Sequence, residues 1–338
     1  MFKSKIFTTW YLAALTVWLV LFYTFDSISF LMAHWYYPAM MVGGAFVAGF
    51  TPEGGGAVAF PVLSVFLKVD RVLARDFSMM IQSVGMTSAS IFLLSHPKTV
   101  LKEYRPLLGF IPIALAGTAV GFLTLQKIPV YIIQAMFLSL SATFVVAYYV
   151  SDHRGIRENV EVGAKLDLFY LGLALFGGGL ISSLFGTGAD VALYVLLITH
   201  FNMTAKKSTR MSIVLQAAIS LFGFAWRAFV DQDLTHSQIK TWLCAFPVVL
   251  FMAPFGVYIL SRLHVDWMLR AIIALNIFQL VYFNCQEPSI NKLIASVVCC
   301  GILSVIFLFM LRNVKRKHRE SNLELRKIAL EEPSSAWL

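Results

Sequence analysis

Two long apolar stretches of this chain are each cut near the middle by a cluster of glycines, and those cuts constrain the fold more than any other feature. The first stretch runs from Tyr36 to Leu67 and is broken by Gly49-Phe50-Thr51-Pro52-Glu53-Gly54-Gly55-Gly56. The second runs from Leu168 to Ile198 and is broken by Gly186-Thr187-Gly188-Ala189-Asp190. In hydrocarbon an unpaired backbone group is costly, so irregular backbone at that depth persists only where protein or a water-filled cavity covers it. Interrupted segments in matching places of two halves are the sequence mark of a substrate site between repeats.

The bilayer setting follows from composition. Of 338 residues, 59% are hydrophobic and 13% charged, with a mean hydropathy of +0.76. Uninterrupted runs long enough to span lie at about residues 8–25, 76–95, 106–125, 129–150, 211–229, 241–260, 266–283 and 293–311. Lys3 and Lys5 before the first run also fit a signal peptide, but Trp10, Tyr11, Trp18, Phe22 and Tyr23 make it bulky and no small-residue cleavage site follows, which favours a retained helix. The net charge of +9 does not indicate nucleic acid, because much of the excess is Arg312, Lys315, Arg316, Lys317 and Arg319, directly after the last run. Such a flank sets topology and at most contacts anionic lipid. The tail beyond it is mixed in charge and is expected to be disordered past about residue 328. Cys244, Cys285, Cys299 and Cys300 have neither metal-ligand nor disulfide-framework spacing.

The chain also matches itself. Gly54 and Gly56 correspond to Gly186 and Gly188, Ser78 and Gln82 to Ser212 and Gln216, Pro112 and Gly121 to Pro247 and Gly256, and Lys127 to Arg262. Lipid solvation alone does not select an ordered series of Gly, Pro, Ser and Gln. The expected fold is an all-α polytopic membrane protein of two repeats, each a broken element plus three transmembrane helices, with an extra helix at each end. Its divisions are 1–33 (extra helix), 34–150 (first repeat), 151–167 (polar loop), 168–284 (second repeat), 285–312 (extra helix) and 313–338 (basic tail). If the broken elements cross the membrane there are ten segments and parallel repeats; if they re-enter there are eight and the repeats are inverted. Half-segments of about 12 to 15 residues, short of the roughly 20 a span needs, favour the inverted arrangement. Either way both termini face the cytoplasm, and the plasma membrane is the expected location.

The breaks carry the chemistry. Glycine clusters can serve close helix packing, but Pro52 and Glu53 beside Gly54, Gly55 and Gly56 exclude a regular helix interior there. The apolar run after each break begins a half-helix whose free amides and positive dipole end suit an anion. Ser78 with Gln82, and Ser212 with Gln216, are four residues apart and share a helix face, either bonding neighbouring helices or lining a path. Gly186, Thr187 and Gly188 complete the substrate-binding set. Glu53 and Asp190 are candidates for ion coupling, with a helix cap as the alternative. Arg210 is the candidate for attracting anions, although interfacial anchoring also suits it, as it does Arg227. Thr87 extends the polar region, and His96 reads as a loop histidine. No catalytic set, metal site or cofactor motif is present, and the absence of GxxxxGK[ST] argues against ATP-driven transport.

These residues resemble the sulfite exporter TauE/SafE family of membrane proteins, whose halves each carry a glycine-rich signature. Here the first half reads Gly54-Gly55-Gly56-Ala57-Val58-Ala59-Phe60-Pro61, followed by Ala74-Arg75-Asp76-Phe77-Ser78 and Gln82-Ser83-Val84-Gly85-Met86; the second reads Phe185-Gly186-Thr187-Gly188-Ala189-Asp190. The resemblance covers about residues 40–283. The second half departs from the pattern, with Thr187 and Ala189 where glycines are common and no proline after the break. The broken elements read as a secondary transporter of a small anion, with Glu53 and Asp190 favouring protons over sodium as the coupling ion; the resemblance implies export and a substrate such as sulfite or an organosulfonate. An anion channel is the alternative; an intramembrane enzyme is disfavoured because Glu53, Asp190 and His96 share no helix face. Partners are the anion, lipid and H+, without nucleic acid; oligomeric state is not legible.

Overall fold

A computed structural model of the chain describes residues 4–25, 27–51, 56–150, 157–160, 165–262, 265–286 and 288–308. Among these residues the regular elements are helices, and one isolated parallel bridge joins Arg157 to Met203. In chain order they are α1 (Lys5–Thr24), α2 (Ser27–Ala33), α3 (Tyr36–Phe50), α4 (Gly56–Pro61, widening into a π turn over Val62–Phe66), α5 (Arg71–Leu94), α6 (Leu107–Thr124), α7 (Val130–Val150), α8 (Lys165–Phe185), α9 (Ala189–Thr199), α10 (Ala205–Ala225, widening into a π turn over Trp226–Asp231), α11 (His236–Leu260) and α12 (Val265–Cys285). A last helix, α13, runs over Ile290–Leu308. Seven helical stretches of the described residues are long and apolar enough to cross a membrane.

Local chemistry sets the helix starts. The Asp70 carboxylate accepts from the amides of Val72 (2.8 Å) and Leu73 (3.3 Å) and opens α5, while Thr235 and Gln238 form a reciprocal capping box at the start of α11. The N-terminal region holds two helices, α1 and α2, where one was expected, and α8 begins at Lys165, inside the stretch read as a polar loop.

The central pair is α5 and α10, and they run antiparallel. Ser90 near the end of α5 donates to the Ile213 carbonyl in the first half of α10, and Asp76 near the start of α5 meets Arg227 just past the end of α10. Around them α3 lies along α11 and α8 along α6. Both crossings are close enough to need glycine: a Cβ on Gly49 would collide with the Ala253 carbonyl, and one on Gly179 with the Ala114 carbonyl.

Helix α9 doubles back along α8. A Cβ on Gly178 would meet Ala192 Cβ at 2.8 Å, although in a continuous helix residues 178 and 192 would be separated by about 21 Å. The open end of this hairpin is tied by His200 Nε2 and Asp167 Oδ1 at 2.7 Å. Arg157 joins the same end, donating its amide to the Asn202 carbonyl and accepting from the Thr204 amide, both at 2.9 Å. Helices α1 and α13 sit outside the bundle and expose apolar side chains such as Leu12, Val20, Ile302 and Val305, as lipid-facing helices do. Trp18 Nε1 fastens α1 to the bundle by donating to the Leu243 carbonyl at 2.8 Å.

Candidate functional site

The tip of the α8–α9 hairpin is the second glycine break. Gly186 has φ +84° and Gly188 φ +147°, both in the region that side chains with a Cβ rarely adopt, and these two residues turn the chain between helices. The first amides of α9 would otherwise be unpaired at the tip. Asp190 takes several donors: Thr187 Oγ1 donates to its two oxygens at 2.9 and 2.8 Å, the Gly188 amide at 2.9 Å and the Val191 amide at 3.0 Å. The Ala189 amide donates to Ser182 Oγ at 3.0 Å. Asp190, Thr187 and Ser182 are fully buried.

Two glutamines hold the tip from outside. Gln82 is the twelfth of the 24 residues of α5 and Gln216 the twelfth of the 21 residues of α10, so both sit half-way along their helices. Their amide nitrogens donate to the same acceptor, the Gly186 carbonyl, at 2.9 Å from Gln82 and 2.8 Å from Gln216. Gln216 Nε2 also donates to Gln82 Oε1 at 3.1 Å, and Gln82 Nε2 to Ser78 Oγ at 3.0 Å. Ser78, Gln82, Gly186, Thr187, Gly188, Asp190 and Gln216 therefore form one buried polar cluster. Ser212, one turn before Gln216, is also buried, and among the described residues neither its hydroxyl nor Gln216 Oε1 has a hydrogen-bond partner.

Helix α4, which follows the first break, reaches the end of α8 just before the second. Gly56 opens α4, whose Phe60 ring meets Phe185 edge-on at 5.5 Å, and Phe137 of α7 closes against Phe185 at 4.8 Å. Glu53, Gly54 and Gly55 lie outside the described residues. Arg210 lies near the start of α10, about 9 Å along the helix axis from Gln216, so it is not at the tip. Its neighbour Lys207 pairs with Glu103, and its own Nε has no partner among the described residues. Thr87 Oγ1 is buried without a partner among the described residues, and exposed His96 accepts from the Lys98 amide at 3.3 Å.

One cluster escaped the sequence reading. Asp76 accepts from Arg75 Nε (2.9 Å) and Nη2 (2.7 Å), from Arg227 Nε (3.1 Å) and Nη2 (3.2 Å), and from Gln238 Nε2 (3.3 Å). Arg75 also donates to Gln126, and Arg227 to Asp231 at 2.5 Å. Arg227 is thus a buried ion-pair partner and not an interfacial anchor, because the π turn after α10 swings it onto α5. The cluster adjoins the tip: a Cβ on Gly186 would lie 3.2 Å from the Arg75 carbonyl oxygen. Hydropathy placed Arg75 outside the span, as a flank. The signal that could have found it is the sequence Arg71, Arg75, Asp76 leading straight into Ser78 and Gln82 with no turn residue between.

The family described as "Sulfite exporter TauE/SafE" matches residues 36–283, from the start of α3 to near the end of α12, and encloses both breaks. No curated protein and no solved structure matches the chain. The match leaves α1, α2 and α13 outside. Its extent, together with the apolar helices, makes the chain an integral, multi-pass membrane protein belonging to the sulfite exporter TauE/SafE family of membrane transporters.

Proposed function

We propose that the protein is a secondary transporter that exports a small anion, sulfite or an organosulfonate, by alternating access around the tip of the α8–α9 hairpin. The observation that carries this reading is the crossing of Gln82 and Gln216 on the Gly186 carbonyl. Matched residues of the two halves meet there on non-helical backbone, half-way along the two central helices. The antiparallel course of α5 and α10, whose Ser/Gln pairs correspond, supports inverted repeats. The fold-back of α9 on α8 supports a re-entrant element and eight full spans; with that count the charge distribution puts the loop near Arg157 and both termini in the cytoplasm, and the plasma membrane is the location we assign. Rocking one repeat against the other would then open the tip to each side in turn.

Coupling has a concrete route through Asp190. Ionised, its carboxylate occupies the Thr187 hydroxyl and the Gly188 and Val191 amides, the donors an anion needs at this helix start. Protonated, it holds them less tightly, so a proton and an anion enter together. Glu53 would act at the other break with Gly54, Gly55 and Gly56, and Arg210 would draw anions toward the path. The test is sulfite flux in proteoliposomes under an imposed pH gradient. Uphill, saturable accumulation is expected. Flux that only equilibrates sulfite down its own gradient would replace this reading with an anion channel, and chemical turnover of sulfite with an enzyme.

A further inference from the structure

Gln216 is held in one orientation by its neighbours. Its amide nitrogen donates to the Gly186 carbonyl and to Gln82 Oε1, which occupies both N–H groups. Flipping the amide would set Oε1 against those two acceptors, so the network fixes the assignment. The consequence is a fully buried carbonyl oxygen with no donor among the described residues, accompanied one turn away by the Ser212 hydroxyl, which has no partner among them either. The corresponding residues of α5 are not left over in this way, since Gln82 accepts from Gln216 and Ser78 Oγ accepts from Gln82. A buried acceptor of this kind is stabilised by any ligand that supplies a donor, and an oxyanion bearing only lone pairs would repel it.

We infer that the transported anion carries its own hydrogen-bond donor, an O–H or N–H beside its charged oxygens, given to Gln216 Oε1 while the Ser212 hydroxyl donates to one of those oxygens. This inference rests on the placement of substrate at the hairpin tip proposed above. It selects hydrogen-bearing small sulfur oxyanions, such as hydrogensulfite or amino- and hydroxy-substituted sulfonates, over bare oxyanions of the same size.

Sulfamate and methanesulfonate test it, because they are monoanions of similar shape that exchange an amino group for a methyl group. Competition with sulfite flux is measured for each in proteoliposomes, alongside thermal stabilisation of the purified full-length protein. Sulfamate is expected to bind at least about tenfold more tightly, equivalent to about 1.4 kcal/mol. Gln216→Met should reduce the preference to about threefold or less. Equal binding of the two probes by the wild-type protein, or an unchanged preference in Gln216→Met, overturns the donor requirement while leaving a site at the tip intact. Failure of sulfite and both probes to bind overturns the site as well. If Gln216→Met does not fold, the wild-type comparison still decides, and Ser212→Ala should weaken both probes.

Discussion

The side-chain amides of Gln82 and Gln216, 134 residues apart in the chain, converge on one backbone carbonyl, that of Gly186. A carbonyl that ends a helix at a non-helical turn has no intrahelical donor of its own, and here matched residues of two different helices supply it. The tip is thereby tied to α5 and α10 at once, so any movement of those helices past one another must be felt at the turn.

Because Gly188 sits at φ +147° with Ile181 Cγ2 2.5 Å from where a Cβ would lie, Gly188→Ala should both strain the turn and clash. A residue forced into such backbone costs about 1–3 kcal/mol. Gly172 in the same hairpin has open space around its missing side chain, and Gly172→Ala should instead raise helix stability by about 0.5–1 kcal/mol. Thermal unfolding in detergent should move in opposite directions for the two variants.

The Asp76 cluster makes a graded prediction. Removing one partner of a buried ion pair costs about 3–5 kcal/mol, since the remaining charge is left without compensation. Asp76→Asn leaves two buried guanidinium groups, Arg75 and Arg227, facing each other across a neutral amide. Arg227→Met leaves Asp76 still bonded to Arg75 and Gln238. Asp76→Asn should therefore lower the unfolding temperature more than Arg227→Met; the reverse order would mean that Arg227 acts chiefly through Asp231.

Much of the site could be read from the sequence because it is built from backbone breaks and from polar residues repeated at helical spacing. Gly186, Gly188, Ser78, Gln82 and Gln216 stand out against leucine-rich surroundings, and the repeat pairs them before any fold is known. The Asp76 cluster did not stand out, since its members lie at helix ends, where charge is ordinary, and its partners are 151 residues apart. The sequence admits a cap as the alternative role of Asp190, but the geometry by which it caps was not legible. It depends on the positive φ of Gly188 bringing the chain back onto the carboxylate, and side-chain pattern alone does not report it. The expectation of half-helices of 12 to 15 residues suits α3 with its 15, while α9 with 11 falls just short and α8, whose 21 residues reach the tip as one continuous helix, exceeds it.

Asp190→Asn separates capping from coupling. An asparagine retains one acceptor for the Gly188 or Val191 amide, so α9 should still form, with a loss of about 1 kcal/mol or less in thermal unfolding. It cannot bind and release a proton. Uphill sulfite flux under a pH gradient should fall to background, while downhill exchange of labelled sulfite should persist within about threefold of wild type, since about 0.6 kcal/mol is the most the barrier need change. Loss of both fluxes together, with the protein still folded, would assign Asp190 to structure alone.

The hairpin makes the last prediction, because it fixes which chain segments share a side of the membrane. Asp167 and His200 are in contact at 2.7 Å, so the start of α8 and the end of α9 face the same compartment. The antiparallel pairing of α5 with α10 places the start of α5, at Asp70, at the other end of the bundle, the end to which Gln232 beyond α10 also belongs. In a variant whose four native cysteines are replaced, single cysteines at positions 167 and 200 should react with a membrane-impermeant thiol reagent from one side. Cysteines at positions 70 and 232 should react from the other. Were α9 instead to continue across the bilayer, position 200 would react from the side opposite to position 167, and the re-entrant arrangement would fall together with the inversion of the repeats.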